Sequence, residues 1–383
     1  MKKIKLGDLC VPSAGQLKKD SDELIDYIDI SSVDNETKKV TGYQTLLFEE
    51  APSRARKTVK KGSILVSTVR PNLNAVAMLE EDTPNISVAS TGFCVLDSKE
   101  NVDNRFILNF CKSKTFINAM VAQATGASYP AVSDKIVRAA LVPDYTYEEQ
   151  CNISEVLDKV SNVIEKRKAE LCSLDDLIKA RFVEMFGDMT LARNDWEKLL
   201  LCDVCDVRDG THDSPKYFTE GYPLITSKNV SGGKIDFSDC NLICEEDYNK
   251  INQRSKVDVG DILMPMIGTV GKPVIVDSQK KFAIKNVALI KFRENSAVVN
   301  SFIKVLLESD YFDREVINKV RGGTQKFISL GDIRKLNICL PPIKLQNQFA
   351  AFVNEIDKSK SAVKKALDET QLLFDSLMQE YFG

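Results

Sequence analysis

The chain has one histidine, His212, in Gly210-Thr211-His212-Asp213-Ser214-Pro215. It is the one side chain whose ordinary pKa suits proton transfer near neutrality, so a Ser-His-Asp or Cys-His site would have to be built on it. Its loop has no counterpart histidine in the first half of the chain, and a polar loop contact is the expected role. Cys202-x-x-Cys205 and Cys240-x-x-x-Cys244 could be assembled into a four-thiolate zinc site. Cys205 matches Cys10, however, whereas Cys202 matches Gly7, and these cysteines alternate with apolar residues, so buried core thiols are expected. Gly268-Thr269-Val270-Gly271-Lys272-Pro273 resembles a phosphate loop only superficially. Its spacing is too short, and a proline stands where Ser or Thr would hold magnesium. It reads as a tight turn presenting Thr269 and Lys272. An amine methyltransferase would carry an Asn-Pro-Pro-aromatic box, but the Pro-Pro here lies in Cys339-Leu340-Pro341-Pro342-Ile343. No Gly-rich nucleotide turn joins a strand to a helix. The sequence therefore predicts a chain that holds no metal or cofactor and performs no chemistry alone.

The elements that would position any binding groups occur twice. Lys3-Ile4-Lys5-Leu6-Gly7-Asp8-Leu9-Cys10 reappears as Lys198-Leu199-Leu200-Leu201-Cys202-Asp203-Val204-Cys205. Lys61-Gly62-Ser63-Ile64-Leu65 reappears as Val259-Gly260-Asp261-Ile262-Leu263, and Met185-Phe186-Gly187 as Tyr381-Phe382-Gly383. The offset stays between about 195 (Lys3 to Lys198) and about 198 (Gly62 to Gly260), too long for a solenoid repeat, so it describes two complete domains. Tyr27–Ile30 and Ser63–Val69 read as strands, and Asn104–Cys111 with its counterpart Asn300–Leu307 as helices.

A long heptad-patterned helix closes each half. Ile153, Leu157, Val160, Ile164, Leu171, Leu174 and Ile178 form the a/d stripe of the first; Phe349, Val353, Ile356, Val363, Leu367, Phe374 and Leu377 form that of the second. Arg167, Arg181, Lys360 and Thr370 interrupt these stripes, as residues that set register do. The expectation is a mutual coiled coil. A helix of about 33 residues is about 50 Å long, enough to hold two domains a turn or more of B-DNA apart. The expected boundaries are a first domain over 1–144, helix 145–186, linker 187–195, a second domain over 196–342 and helix 343–383, in an α+β fold.

The 383 residues, 43% hydrophobic and 28% charged, suit a soluble protein of two or three domains. No run approaches the roughly 20 apolar residues of a membrane span. The start Met1-Lys2-Lys3-Ile4-Lys5-Leu6 lacks the apolar stretch of a signal peptide. With ten irregularly spaced cysteines, this predicts a cytoplasmic protein in a reducing environment. The net charge of −3 means that any nucleic-acid surface must gather its Lys and Arg on one face.

The chain resembles the specificity subunit of Type I restriction-modification systems over essentially its whole length. The resemblance is carried by the duplicated order of domain then helix and by the helix entry Leu340-Pro341-Pro342-Ile343-Lys344-Leu345-Gln346. Met185-Phe186-Gly187-Asp188 before a restart at Trp196, and Gly210-Thr211-His212-Asp213-Ser214-Pro215-Lys216-Tyr217, add to it. The first-half entry, Leu141-Val142-Pro143-Asp144-Tyr145 through Glu149-Gln150, departs from the double proline. The resemblance implies two pseudo-symmetric target-recognition domains separated by an antiparallel coiled coil, each reading half of a bipartite, asymmetric site in double-stranded DNA. It implies a non-catalytic subunit that docks two modification subunits, which bind S-adenosylmethionine and methylate adenine. It further implies restriction-translocase subunits that use ATP and magnesium.

Side chains able to meet base edges or phosphates sit in polar loops. In the first half these are Gln16, Lys18, Lys19, Arg70, Asn72, Asn74, Ser128 and Tyr129. In the second they are Thr211, His212, Lys216, Tyr217, Lys228, Asn229, Lys272, Thr324, Gln325 and Lys326. The halves differ at Arg70-Pro71-Asn72 against Met266-Ile267-Gly268, so the half-sites should differ. Two other readings stand beside this one: a specificity chain serving a fused restriction-modification enzyme of another type, and a two-headed scaffold that binds no DNA.

Overall fold

A computed structural model describes residues 2–12, 15–17, 23–187, 189, 196–267, 271–293, 296–317 and 327–383. The chain divides into two compact units, Met1–Lys168 with Lys365–Gly383, and Ala169–Lys364.

The first unit runs β1 (Lys3–Lys5), α1 (Leu6–Leu9), β2 (Leu24–Ile28), β3 (Gln44–Leu47), β4 (Ala55–Thr58), β5 (Ile64–Ser67) and β6 (Val76–Met78). It continues through β7 (Ile86–Ser90), β8 (Phe93–Leu96), α2 (Asn104–Lys112), α3 (Lys114–Gln123), α4 (Asp134–Arg138) and β9 (Leu141–Pro143) into the long helix α5 (Tyr147–Phe186). The second unit runs β10 (Glu197–Leu200), α6 (Leu201–Val204), β11 (Asp206–Asp209), β12 (Tyr222–Ile225), β13 (Val230–Ser231), β14 (Lys234–Ile235), β15 (Asn241–Ile243) and α7 (Glu245–Ser255). Then come β16 (Ile262–Pro265), β17 (Val274–Ile275), β18 (Ala283–Ile284), β19 (Val287–Lys291), α8 (Asn300–Leu307), α9 (Asp310–Glu315), α10 (Leu330–Arg334), β20 (Asn337–Leu340) and α11 (Ile343–Phe382).

The sequence repeat appears as a repeat of pairing. β1 pairs antiparallel with β9 and β10 with β20, so each head is closed by its own first and last strands. Each head has a mixed sheet with one parallel pair, β2 with β7 and β12 with β18. Each also has an antiparallel core sheet, β6-β5-β8 in one and β11-β19-β16-β17 in the other. The period of two along a strand decides which core each residue enters. Ile64, Val66, Cys94 and Leu96 face the helical side, while Leu65, Phe93 and Val95 face the opposite cluster. Ile262, Met264 and Ile290 against Leu263, Val287 and Leu289 repeat this division. Side-chain oxygens start the helices: Asp103 accepts from the Arg105 amide, Ser113 from Phe116, Ser133 from Ile136 and Ser329 from Asp332.

The helix ends complete these cores. In the first unit, Ile153 and Leu157 of α5 pack with Phe374, Leu377, Met378 and Phe382 of α11. The Phe382 ring lies 5.3 Å from Phe106 and 5.9 Å from Phe110. In the second, Ile178, Phe182 and Phe186 pack with Phe349, Val353 and Ile356. Within each unit the two helix segments run antiparallel. The Tyr145 hydroxyl donates to the Tyr381 carbonyl, and Arg167, further along, donates to the Ala366 carbonyl and the Thr370 hydroxyl. In the second unit Lys360 pairs with Asp175 at 2.5 Å, and the Arg181 guanidinium lies 5.8 Å from the Phe352 ring centroid and pairs with Glu184. The stripe residues Ile153, Leu157, Ile164, Ile178, Phe349 and Val353 are buried; Val160, Leu171, Leu174, Ile356, Val363, Leu367, Phe374 and Leu377 are half-buried.

Candidate nucleic-acid interface

In the first head, β5 runs into Arg70-Pro71-Asn72-Leu73-Asn74. Proline disfavours the right-handed helical region for the residue before it. Arg70 takes the left-handed region at φ 49°, and Pro71–Leu73 then form a 3₁₀ turn closed by Asn74 at φ 48°. The Arg70 amide donates to the Pro130 carbonyl at 2.7 Å, and Val69 pairs with Ala131, tying this turn to the loop that carries Ser128 and Tyr129. Gly126, at φ 105°, makes that loop possible, because a Cβ there would press on the Tyr129 carbonyl. The result is an exposed Tyr129 ring with the Arg70 guanidinium 4.7 Å from its centroid. Beside the pair opens a cleft of about 540 Å³, whose far wall includes Asp34 and Glu36. Hydrogen bonds from the Thr37 amide and hydroxyl and the Glu36 amide hold the Asp34 carboxyl below the usual carboxylate range. Lys38, at φ 58°, donates to the Asn74 carbonyl at 2.6 Å, and burial pushes its ammonium pKa down. Three non-glycine left-handed residues thus converge here, a concentration of strain typical of functional loops.

In the second head, β11 delivers Gly210-Thr211-His212. A Cβ on Gly210 would overlap the Ile284 carbonyl, so only glycine allows the loop to lie against the end of β18. The Gly210 amide donates to Val287 and the Thr211 amide to Ile284, fixing the His212 ring beside Asn286. His212 Nδ1 lies 2.8 Å from Asn286 Oδ1, and Nε2 lies 2.8 Å from Asp209 Oδ2. These bonds, Asn286 first and Asp209 next, raise its pKa above the ordinary value. Asp209 also pairs with Arg254 of α7. Lys285 donates to the Ser214 hydroxyl at 2.6 Å. Asn286 is left-handed at φ 54°, which Asn tolerates better than most residues.

The other residues expected at the interface divide. Gln16, Asn72, Ser128, Lys216, Tyr217, Lys228 and Lys272 are exposed, and Thr211 is half-buried. Lys216 lies 5.7 Å from the Phe218 ring centroid, and Lys228 pairs with Asp239 at 3.2 Å. Two expectations are corrected. Asn229 is buried: its Oδ1 accepts from the Thr226 amide and hydroxyl, and its Nδ2 donates to the Asp236 and Asp239 carbonyls, so it shapes the turn and has no group left for a base. Asn74 is buried too, turned inward by the left-handed backbone that ends the 3₁₀ turn. Lys18, Lys19, Thr324, Gln325 and Lys326, with Thr269 of the glycine turn, lie outside the described residues. Asp209, Arg254 and Asn286 join the site without being among the residues expected there. Lys285-Asn286 between two apolar runs was legible as a turn, whereas nothing local marks Arg254, in the last turn of a polar helix, as Asp209's partner.

The cysteines reach the core only in part. Cys205 is buried, as is its counterpart Cys10, while Cys202, Cys240 and Cys244 are half-buried. Burial pushes the Cys205 thiol up to about 12 and Cys10 to about 11. Among the described residues, no group of three or more His, Cys, Asp or Glu is placed to hold a metal ion.

Each head thus presents guanidinium, aromatic or amide groups on loops held by backbone hydrogen bonds, chemistry suited to base edges and phosphates. The fold is shared with solved structures. A chain from a structure of the type I R-M system superposes with a TM-score of 0.62 at 22% identity, covering 100% of this chain and 97% of that one. The type-I restriction-modification system S subunit from M. genitalium superposes at 0.58 with 14% identity, covering 100% and 96%. In sequence, the chain is 25% identical over 305 residues to the type I restriction enzyme MjaVIII specificity subunit of Methanocaldococcus jannaschii, covering 73% of this chain and 71% of that one. It is 23% identical over 315 residues to the EcoKI specificity subunit of Escherichia coli K12, covering 76% and 67%. The family model for the Type I restriction modification DNA specificity domain matches residues 1–172 and again 193–370. With that double match covering both heads, the chain belongs to the Type I restriction-modification specificity family, and its task is sequence-specific recognition of DNA.

Proposed function

We propose that the chain reads a bipartite, asymmetric site in double-stranded DNA, with 1–144 and 196–342 each reading one half. The observation that carries this reading is that two heads of like strand pairing present unlike polar surfaces: an Arg70–Tyr129 pair beside a cleft in one, and a His212–Asp209–Arg254–Asn286 cluster in the other. Like scaffolds with unlike contact groups suit two different half-sites. The exposed side chains Gln16, Arg70, Asn72, Ser128, Tyr129, Lys216, Tyr217, Lys228 and Lys272 are its contacts to bases and phosphates. The chain itself is the non-catalytic member of the complex, a reading supported by the engagement of both nitrogens of its one imidazole with Asp209 and Asn286. Methyl transfer to adenine from S-adenosylmethionine belongs to two modification subunits, and ATP- and magnesium-dependent restriction to further subunits, all acting in the cytoplasm.

Exchanging residues 1–144 for the corresponding domain of another family member tests the reading. Methylome mapping of cells carrying the hybrid should show one half-site replaced and the other unchanged, because separate cores give near-independent heads. Alteration of both half-sites would overturn it. Label transfer from S-adenosylmethionine to DNA by the purified chain alone would overturn the non-catalytic assignment.

A further inference from the structure

The geometry points to Arg254 as a contact of the second head to a DNA backbone phosphate, with His212, as an imidazolium, the group that leaves its charge free for that contact. This rests on the DNA-binding reading above. Asp209, at the end of β11, has a side chain only 10% exposed, and this one carboxylate faces two cations, Arg254 and His212. One anion against two cations leaves a positive charge at the surface. If His212 loses its proton, Asp209 and Arg254 cancel.

The ring is set up for the charged form. Its two nitrogens face two acceptor oxygens, Asp209 Oδ2 and Asn286 Oδ1, and only the imidazolium can donate to both. The other charged groups around it are Lys285 of the β18–β19 turn, held by Ser214, and Asp213 next in its own loop. Arg208 of β11 is occupied by Asp206 at 2.5 Å and by the Arg254 carbonyl at 2.7 Å. Because both ring nitrogens are engaged, His212 has no donor for a base edge; it acts through Arg254 and is a positioning residue. The Arg254 side chain is 68% exposed, with one guanidinium nitrogen held by Asp209. Its remaining N–H donors form a fork that matches phosphate oxygens, and the anchoring lowers the entropy lost on contact. The sign follows from the raised pKa of His212: the extra charge is present below that pKa and is lost as pH rises through it.

The test uses the full chain assembled with its modification partner, titrated with its target duplex and with unrelated duplexes over a range of salt, at about pH 6 and about pH 8.5. The wild-type complex should bind about 3- to 10-fold more tightly at the lower pH, and His212→Asn should remove that difference. Arg254→Gln should weaken all duplexes alike and reduce the salt slope by about one, with the base preference unchanged. An altered base preference, an unchanged salt slope, or a pH profile identical in wild type and His212→Asn would each overturn the assignment. A second measurement needs no DNA. With one histidine in the chain, the imidazole signal is unambiguous in an NMR titration of the free chain. Its midpoint should lie above about 6.5 and fall in Asp209→Asn. A midpoint at or below the ordinary value, as an Asn286 amide turned to donate would give, sinks the proposal even if DNA binds. A high midpoint with no binding to any duplex sinks the DNA-binding reading, and the phosphate contact with it.

Discussion

Replacing Phe186 by alanine should cost the second unit a large part of its stability, although this residue ends a helix that follows the other head in sequence. Phe186 is 2% exposed, and its ring lies 4.9 Å from Phe302, 5.0 Å from Phe182, 5.3 Å from Phe349 and 6.3 Å from Trp196. Burial and cavity terms for Phe→Ala in a core are about 3–5 kcal/mol. Edge-to-face partners add their own share, which places this site in the upper part of that range. Domains are stable by about 5–15 kcal/mol, so the loss is severe. For a unit of this size, each kcal/mol lowers the midpoint by about 2–4 °C, so the melt should move by about 6–20 °C. Trp196, the one tryptophan, reports on this core directly, and its emission during heating is the assay. Val183→Ala, three residues earlier and 58% exposed, is the comparison and should stay within about 0.5 kcal/mol of wild type. If Phe186→Ala melted with Val183→Ala, the helix end would not be closing the core.

Three further outcomes are expected. Asn229→Ala should lower the urea midpoint by an amount equivalent to about 1–3 kcal/mol, since the Thr226 amide and two carbonyls lose their partner, while a duplex selection returns the same base preference. Alkylation near pH 8 followed by peptide mass spectrometry should label the exposed Cys172 while sparing Cys10, Cys94 and Cys205. Burial pushes Cys94 and Cys205 to about 12 and Cys10 to about 11, so the reactive thiolate is scarce until the protein unfolds or the pH climbs that far; equal labelling of Cys205 and Cys172 would contradict this. Tyr129→Ala should weaken duplex binding about 2- to 5-fold, with the change confined to the first half-site, whereas Tyr129→Phe keeps the ring under Arg70 and should bind as wild type in an anisotropy titration.

Much of this architecture was legible because periodic signals are local. Leu157, Ile164 and Ile178 mark a helix without knowledge of its partner, and Ile64-Leu65-Val66 mark a strand buried on both faces. The repeat supplied a second reading of each element. What was not legible depends on contacts between distant positions. Met185-Phe186-Gly187 and Tyr381-Phe382-Gly383 matched as motifs, but apolar complementarity carries no address, so nothing in either tripeptide shows that Phe186 meets Phe302 or that Phe382 meets Phe106. As an Asn in a polar loop, Asn229 reads from sequence as an exposed contact. Its place three residues after Thr226, where its amide closes a reciprocal cap, was the missed signal.

The same division explains why one scaffold can serve two reading surfaces. Each core draws on alternate strand positions and on helix ends, and these are the residues that match between the halves. The polar surfaces hang on the joints between elements: Pro71 after β5 and Gly126 between α3 and α4 in the first head, Gly210 after β11 and the Lys285-Asn286 turn between β18 and β19 in the second. At these joints a left-handed or glycine backbone sets the direction of Arg70, Tyr129, His212 and Asn286 without asking anything of the core. Positions of that kind tolerate exchange of the side chain far better than exchange of the backbone conformation. Replacing Arg70 leaves the left-handed joint and the Pro71 turn in place, so it changes a contact. Replacing Gly210 forces a Cβ into the Ile284 carbonyl and moves His212, and Asp209 with it, so it disrupts the whole His212–Asp209–Arg254–Asn286 cluster. Divergence of specificity should therefore run through the side chains beside these joints, while the glycines and the proline that make the joints stay fixed.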